Sequence, residues 1–203
     1  LSFCLINNND FNNINNIFNK CNFKIKKIML KSFTEGSYTS NQNKNDNTFF
    51  QIKICENNSK VFYFENNSLK FEQKFNFGSN LIAKDISKIT SLKLDVVRNI
   101  ISNTQFTKDT LKDELIEKFL FENENYIKIK KKLVLEIAEA RIKEFAEIMM
   151  FKNLNFLTYF KECNVVFLTI SDQSHLNFFK NTYKFLFSYK NFLKINFIKD
   201  IAT

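Results

Sequence analysis

Few residues of this chain could do chemistry by themselves. Asp172 and His175 stand three positions apart and could form an acid–base dyad, but no serine or cysteine occupies a nucleophile motif beside them. His175 is the single histidine of the sequence, which excludes a cluster of histidine ligands around a metal. We therefore interpret His175 as a surface residue and predict neither a catalytic residue nor a metal site.

Four glutamates on one helical segment are the next candidates for acid–base work. Lysine and arginine residues lie three or four positions from them, a spacing that brings opposite charges together on a helix surface. The pattern therefore favours a solvated face of ion pairs over an active site. The acids are Glu136, Glu139, Glu144 and Glu147, and the bases are Lys132, Arg141 and Lys143.

The glycines and cysteines exclude further kinds of site. Gly36 and Gly78 are the only glycines and there is no proline, whereas GxGxxG loops and P-loops need several glycines close together. The four cysteines are too far apart in sequence to form a CxxC pair. We therefore expect reduced cysteines in a cytosolic protein, without disulfides.

Size and composition indicate a folded protein with an excess of positive charge. The 203 residues are 44% hydrophobic, enough for one compact domain or two small ones. The net charge of +9 comes from lysines spread along the chain, without an arginine-rich face or a nucleic-acid-binding motif. We predict no nucleic-acid partner, and charge-driven binding to an anionic surface stays an open alternative. The start at Leu1, with neither an initiator methionine nor a signal peptide, leads us to expect a fragment.

The first third of the sequence predicts a helix followed by strands. Apolar residues recur at helical spacing after Asp10, a candidate N-cap, and predict a short helix there. Residues 23–30 have the pattern of a strand, and the polar residues 37–47 have that of a linker. Three strand-like runs joined by asparagine-rich turns suited to positive φ then predict an antiparallel meander over residues 49–55, 60–65 and 69–76.

Helical patterns dominate the middle of the sequence. Gly78 permits a sharp turn into a helix, and residues 94–101 predict a second one, whereas residues 104–125 have mixed strand and helix character. The longest helix covers residues 131–150, with charges along one side. Another side is predicted to carry Leu133, Ile137, Ala140 or Arg141, Glu144 and Ile148.

The last forty residues return to the strand pattern. Residues 165–169 form a fully apolar strand, a helix through Phe179 and Tyr183 follows, and residues 192–198 predict a final strand. A strand, a helix and a strand in a chain that also contains a meander indicate a mixed α/β sheet.

The order of these elements, more than any single motif, resembles a known family. The meander, the Gly78 turn into a helix, the helix of residues 135–144 and the apolar strand follow one another as in the second half of FtsA, the actin-like bacterial division protein. The family pattern runs from a DIGGGTT-type hairpin through GGxxIT-x-DIA and IIxxRxxEI to a strand that ends in LTGG. The matching residues are Gly78, Ile82, Asp85, Ile86, Arg141, Glu144, Leu168 and Thr169.

The resemblance implies a fold and a division into subdomains. The fold would be α/β, an actin/Hsp70-like (ribonuclease H-like) second domain with an outer α/β subdomain. Residues 1–40 would hold the end of the FtsA-specific subdomain and a crossing helix over residues 31–40. The core actin-like subdomain would comprise residues 41–76 and 163–203, and the outer subdomain residues 77–162. The first actin-like half would precede Leu1.

Departures from the family pattern bear on nucleotide binding. In the family, glycines in the hairpin turn and after the LTGG strand let backbone amides approach the phosphates of ATP, which binds with Mg²⁺. Here both loops lack glycine, so we predict weak or absent ATP binding, no resident cofactor and no enzymatic activity. The alternative is an actin/Hsp70-type ATPase, or a pilus-assembly actin-like protein, that still binds ATP, because asparagine can adopt positive φ. The positions concerned are Glu56, Asn57, Asn58, Ser59, Gly78, Thr169, Ile170 and Ser171.

The resemblance also implies a scaffold role at the division septum. FtsA-like proteins polymerise and tie filaments of the tubulin-like FtsZ to the inner membrane, so we expect a self-associating protein on the cytoplasmic face of that membrane. The RxxE helix, which binds the acidic FtsZ tail in the family, matches at Arg141, with Lys131, Lys132 and Lys143 as helpers. An intrachain pair of Arg141 with a nearby glutamate is compatible with that role. The family's membrane-targeting helix has no counterpart in this sequence.

Overall fold

The computed structural model describes residues 5–43, 46–103, 114–121, 124–188 and 192–199. The strands in these residues are β1 (Phe49–Ile54), β2 (Ser59–Glu65), β3 (Ser68–Phe75), β4 (Val165–Ile170) and β5 (Lys194–Phe197). They form one mixed sheet in the order β3-β2-β1-β4-β5. The pairs β1–β2 and β2–β3 are antiparallel, whereas β1–β4 and β4–β5 are parallel. The predicted α/β class is therefore confirmed.

The meander lies where the sequence predicts it, and each strand boundary agrees within one residue. Both β1 and β4 are almost fully buried because they occupy the middle of the sheet and are covered on two faces. Aromatic side chains fill much of this interior. Phe49 stacks on Phe64 with ring centroids 5.0 Å apart and meets the edge of Phe167 at 5.2 Å.

The two hairpin turns differ in backbone conformation. Asn66 and Asn67, between β2 and β3, have φ of 49° and 60°, as predicted. Asn57 and Asn58, between β1 and β2, do not have positive φ, so that prediction is wrong. The first turn is shaped by contacts with the segment that follows β3, which are described below.

The N-terminal helix α1 (Asn8–Lys20) confirms the predicted helix but begins before Asp10. Asn7 is its N-cap, since the Asn7 side-chain oxygen accepts a hydrogen bond from the N–H of Asn9 at 2.9 Å. The helix buries none of its residues. The strand predicted over residues 23–30 is wrong, because no described strand lies beside this segment to complete its hydrogen bonds.

The helix α2 (Lys31–Gln42) includes much of the predicted linker, so the linker is wrong, and the helix covers residues 31–40, where the resemblance implies a helix. Apart from Glu35, the residues that α2 buries are small: Ser32, Gly36, Thr39 and Ser40. A Cβ on Gly36 would be 1.9 Å from the ring of Phe64, which shows how closely the helix approaches β2. The Thr39 hydroxyl donates to the Glu35 carbonyl at 3.0 Å, so this polar residue is buried without an unpaired group.

Three helices pack beyond the meander: α3 (Asn80–Thr90), α4 (Leu94–Asn103) and α5 (Lys131–Ala146). The chain continues from α5 in a wider helical turn, Glu147–Phe151. The side of α5 that the sequence analysis groups together is not its buried side, because Leu133 and Ile148 are exposed. The buried apolar residues of α5 are Val134, Ile137, Ala138, Ile142, Phe145 and Ala146, and the helix contacts α3 and α6. Of the ambiguous residues 104–125, the structure describes a bridge from Leu115 to Lys130 and a short helix, Lys118–Phe121; residues 104–113 lie outside the described part.

The last helix, α6 (Gln173–Phe187), confirms its prediction and contacts α4, α5 and β4. The final strand β5 is shorter than the predicted residues 192–198. Buried apolar residues from the sheet and from all helices except α1 and α2 form one connected core. Among the described helices, none is both long and apolar enough to span a membrane.

Candidate functional site

Parallel pairing brings the two predicted nucleotide loops to one edge of the sheet. Ile54 of β1 lies opposite Ile170 of β4, and the N–H of Ser171 donates to the carbonyl of Ile54 at 3.0 Å. In open α/β sheets, the carboxyl ends of such strands form the usual ligand crevice. Thr169 is itself a buried residue within β4, so only the residues after it reach this edge.

The β1–β2 turn is pressed against the start of α3, and Gly78 allows this approach. A Cβ on Gly78 would lie 2.0 Å from the carbonyl oxygen of Cys55 and 2.6 Å from that of Glu56. The N–H groups of Ser79 and Asn80 donate to the same two oxygens at 3.0 and 2.9 Å. Because φ of Gly78 is not positive, the glycine is needed for space and not for its backbone conformation.

Side chains of the turn complete this contact. The Ser59 hydroxyl donates to the carbonyl of Phe77 at 2.7 Å, and the side-chain oxygen of Asn57 accepts from the Asn80 amide at 3.2 Å. The carbonyl of Asn58 accepts from the N–H of Cys55 at 2.9 Å and closes the hairpin. The predicted loop residues therefore hold the turn in place.

Arg98 on α4 is the charged residue of this edge that sequence reasoning missed. One guanidinium nitrogen lies 3.3 Å from a carboxylate oxygen of Glu56 and 3.2 Å from the side-chain oxygen of Asn80. The charge of Glu56 is thus balanced within the chain. Both side chains are about half exposed, so the pair contributes at most about 1 kcal/mol to stability. Arg98 belongs to no sequence motif, so its role could not be predicted from the sequence.

A cavity of about 120 Å³ lies between the hairpin, α4 and the start of α6. Asp172 closes it on the α6 side as the N-cap, accepting from the N–H groups of Ser174 and His175 at 2.9 and 3.2 Å. Its carboxylate satisfies the backbone donors that a bound anion would otherwise use. The side chains around the cavity include Glu56, Asn80, Arg98, Asp172, Ser174 and His175.

His175 is 4% exposed, so its interpretation as a surface residue is wrong. Burial, the largest influence, lowers its pKa; the Asp172 carboxylate opposes this shift and the Arg98 guanidinium adds to it. Its Nε2 lies 3.8 Å from Asp172, and its Nδ1 has no hydrogen-bond partner among the described residues. The sequence contained a signal for this burial. His175 is followed at intervals of four residues by Phe179, Tyr183 and Phe187, the spacing of one side of a helix, and all four are buried in α6.

These residues do not fit the phosphates of a nucleotide. The backbone donors at the start of α6 already bind Asp172, and the carboxylates of Glu56 and Asp172 would face the phosphate charges. A cavity of about 120 Å³ is also smaller than the several hundred Å³ of common ligand pockets. Among the described residues, no three His, Cys, Asp or Glu side chains are grouped to hold a metal ion.

Arg141 on α5 makes two ion pairs on the surface between α3 and α5. Its Nε donates to a carboxylate oxygen of Asp85 at 2.5 Å, and its Nη1 donates to Glu144. The hydrogen bond to Asp85 raises the pKa of Arg141. The side chain keeps 27% of its surface exposed. The pair with Glu144 was anticipated, whereas that with Asp85 joins two of the matched motifs and required the tertiary structure.

The three lysines proposed as helpers of Arg141 lie in different surroundings. Lys131 is 6% exposed and pairs with Glu114 and Glu117, at 3.1 and 2.6 Å. Lys132 is exposed and lies 3.6 Å from Glu136, and Lys143 is exposed near the other end of α5. Ten helical residues separate Lys131 from Arg141, or about 15 Å along the axis. The structure therefore does not bring the four predicted residues into one patch.

Comparison with known proteins identifies the fold. No protein-family model matches the chain, and no curated protein matches it in sequence. Among solved structures, MreB 5 of Spiroplasma citri bound to AMPPNP has a TM-score of 0.56 at 10% identity, over 95% of this chain and 60% of that one. The ethanolamine utilization protein EutJ from Carboxydothermus hydrogenoformans has a TM-score of 0.50 at 8% identity, over 81% and 47%. Ta0583, an archaeal actin homolog, has a TM-score of 0.46 at 11% identity, over 78% of this chain and 46% of that one.

The chain spans about half the length of the solved structures that it matches. Identities of this size show the fold alone. The chain therefore has an actin-like ATPase fold, as the resemblance implied.

Proposed function

We propose that this chain is a scaffold protein of the bacterial division ring, similar to FtsA, that binds the FtsZ tail and does not hydrolyse ATP. One observation carries the proposal. Asp85, Arg141 and Glu144, which the family resemblance singles out in two separate motifs, meet in one ion-pair cluster on the surface. The coarser part, an actin-like fold, rests on the structural comparison.

The subdomain division and the location belong to the same proposal. The outer subdomain would comprise residues 77–162, which include α3 and α5. The protein would work on the cytoplasmic face of the inner membrane at the division site and self-associate into filaments, as FtsA-like proteins do. The cluster of Asp85, Arg141 and Glu144 would then be the docking point for the acidic FtsZ tail.

The cluster suggests how a tail carboxylate would bind. Glu144 is the more exposed of the two acids that hold Arg141, with 49% of its side chain accessible against 26% for Asp85. A carboxylate of the tail would displace Glu144 and leave the Asp85 pair intact, so that Arg141 stays oriented by α3. The new contact would be a charge-assisted hydrogen bond of the same kind.

The test is fluorescence anisotropy of a labelled FtsZ C-terminal tail peptide titrated with the whole chain. Glu144→Gln removes the carboxylate that competes with the tail, so we expect tighter binding. Arg141→Glu removes the guanidinium that would donate to the tail, so we expect binding to be abolished. Lys74→Glu, an exposed charge reversal on β3, is the matched control and should bind as the parent does. Circular dichroism of each variant confirms folding. Binding that is unchanged by both cluster variants would refute the proposed site.

We propose that the chain lacks ATPase activity because side chains already occupy the carboxyl ends of β1 and β4, where phosphates would bind. There Arg98 donates hydrogen bonds to Glu56 and Asn80. The actin-like ATPase fold favours the second candidate, a protein that still binds ATP. Titration of a fluorescent ATP analogue with Mg²⁺, together with phosphate release, separates the two. We expect neither saturable binding nor release, and saturable Mg²⁺-dependent binding would support the second candidate.

A further inference from the structure

The groove beside β5 is a second surface with the features of a binding site, and it lies apart from both regions described above. It has a volume of about 870 Å³ and runs between β5 and the second half of α6. We call it the β5 groove. Its lining includes Lys184, Phe185, Phe192, Leu193, Lys194 and Asn196.

The groove borders β5, whose backbone has one edge without a partner strand in the described sheet. The consecutive residues Leu193, Lys194, Ile195 and Asn196 all line it, although side chains of neighbouring strand residues point to opposite faces. A groove that touches both faces of β5 passes the strand either at its backbone edge or at its start, where Asn164 also lines it. In the described sheet β5 is the last strand and pairs with β4 alone, so this edge is open.

The register shows which backbone groups the edge offers. The N–H of Lys194 donates to Asn164 at 2.7 Å and that of Ile198 to Leu168 at 3.1 Å, so even-numbered residues face β4. In a parallel ladder the intervening residues point their N–H and C=O groups the other way. Ile195 and Phe197 therefore present their backbone groups at the open edge.

The side chains around this edge are apolar and basic. Phe185 and Phe192 are each 63% exposed, an unusual exposure for large aromatic rings. From Phe192 the groove continues into an apolar hollow of about 200 Å³, also lined by Leu157 and Phe160. Lys184 and Lys194 are exposed, and no described acidic side chain lines the groove.

We propose that the β5 groove binds an extended peptide segment of a partner protein, with alternating apolar and acidic side chains, as an added strand on β5. Backbone hydrogen bonds to Ile195 and Phe197 would supply affinity, and side chains at alternate positions would supply specificity. Apolar side chains would cover Phe185 and Phe192, and acidic ones would pair with Lys184 and Lys194. A second copy of this chain is a poor occupant, because two basic grooves would face each other in a chain of net charge +9.

This inference does not depend on the division role. The β5 groove consists of residues from β5, α6 and their flanks, with Asn164 just before β4, whereas the proposed tail site consists of residues from α3 and α5. Either site could therefore fail in experiment while the other stands.

The test uses the whole chain and a short fluorescein-labelled synthetic peptide that alternates glutamate and valine. We expect saturable binding by fluorescence anisotropy and slower hydrogen exchange of the Ile195 and Phe197 amides when the peptide is bound. Two control peptides separate the contributions. One carries lysine in place of glutamate, and the other carries N-methyl groups on the backbone nitrogens that would pair with β5, and both should fail to bind.

Charge reversal on the protein checks the location. Lys184→Glu combined with Lys194→Glu should weaken binding of the glutamate–valine peptide by about tenfold or more. Lys88→Glu combined with Lys132→Glu, on exposed positions of α3 and α5, is the matched control and should weaken it less than about twofold. If the double variant in the groove fails to fold, the two control peptides still decide the question on the parent chain.

Three results would overturn the proposal. Equal binding of the N-methylated peptide would exclude strand addition, and equal weakening by both double variants would show a response to net charge alone. Sedimentation that shows a dimer dissolved by Lys194→Glu would make a second copy the occupant.

Discussion

At the scale of single residues, burial and close approach decide roles that residue type leaves open. His175 looks like half of a catalytic dyad in the sequence, yet its ring lies in the core beside the N-cap Asp172. Gly78 resembles a turn glycine, but its function is to let two carbonyl groups lie where a Cβ would stand. Arg141 resembles a free binding arginine, but two acids already hold it.

The buried His175 makes stability depend on pH. Its pKa is lowered in the folded chain, whereas in the unfolded chain it keeps the ordinary value of about 6.5. The unfolded state therefore binds the proton more readily, and the stabilisation is present above about pH 6.5 and lost as the pH falls through the lowered pKa. We expect the urea midpoint to fall between about pH 7 and pH 5.

The comparison variant for this pH effect is His175→Gln, which cannot titrate in the range. Its urea midpoint should change little over the same interval, even if its stability is lower throughout. A midpoint that falls equally in both proteins would show that the effect does not come from His175.

Gly78→Ala tests the close approach of the hairpin. The new Cβ would stand 2.0 Å from the Cys55 carbonyl oxygen, which belongs to the backbone and cannot turn away. We expect a loss of about 2–4 kcal/mol in the free energy of unfolding, measured by urea denaturation. Lys88→Ala on exposed α3 should change it by less than about 0.5 kcal/mol. A loss no larger than that of Lys88→Ala would contradict the packing described.

At the scale of elements, the helices with an apolar side fall into two groups by burial. Helices α3 to α6 bury one side each in the common core, whereas α1 has the periodicity of an amphipathic helix and buries nothing. Periodicity alone predicts both groups equally well. The difference follows from whether another element lies against the apolar side.

Matched isoleucine substitutions measure this difference. Ile17→Ala in α1 removes an exposed side chain and should lower the free energy of unfolding by about 0.5 kcal/mol or less. Ile86→Ala in α3 empties a fully buried position and should cost about 2–5 kcal/mol. Urea denaturation of the two variants gives both values. Similar losses in the two variants would show that the apolar side of α1 is buried in solution.

At the scale of the whole molecule, one connected core joins the sheet to the helices of the proposed outer subdomain. Ile52 in β1, Phe145 in α5 and Phe179 in α6 belong to the same buried cluster. The subdomains implied by the FtsA resemblance therefore share an interior in this chain. An interior shared in this way favours cooperative unfolding.

We expect a single unfolding transition in urea. Far-UV circular dichroism reports mainly the helices, and tyrosine fluorescence reports residues such as Tyr63 and Tyr183 in the core, since the chain has no tryptophan. The two signals should give the same midpoint. Separate midpoints would show that the outer helices unfold independently of the sheet.

The sequence by itself determined the meander, most helices and the α/β class, because strand and helix periods depend on neighbouring residues in the chain. It also pointed to the actin-like fold through Gly78, Asp85, Arg141 and Thr169, whose order along the chain needs no distances. The tertiary structure decided which apolar sides are covered. The buried side of α5 differs from the one grouped in the sequence, residues 23–30 have no neighbouring strand among the described residues, and His175 lies in the core. The tertiary structure also decided charge pairing, since Arg98 meets Glu56 and Arg141 meets Asp85 across distances of 42 and 56 residues. Contacts of that kind depend on how elements pack, which no local pattern encodes.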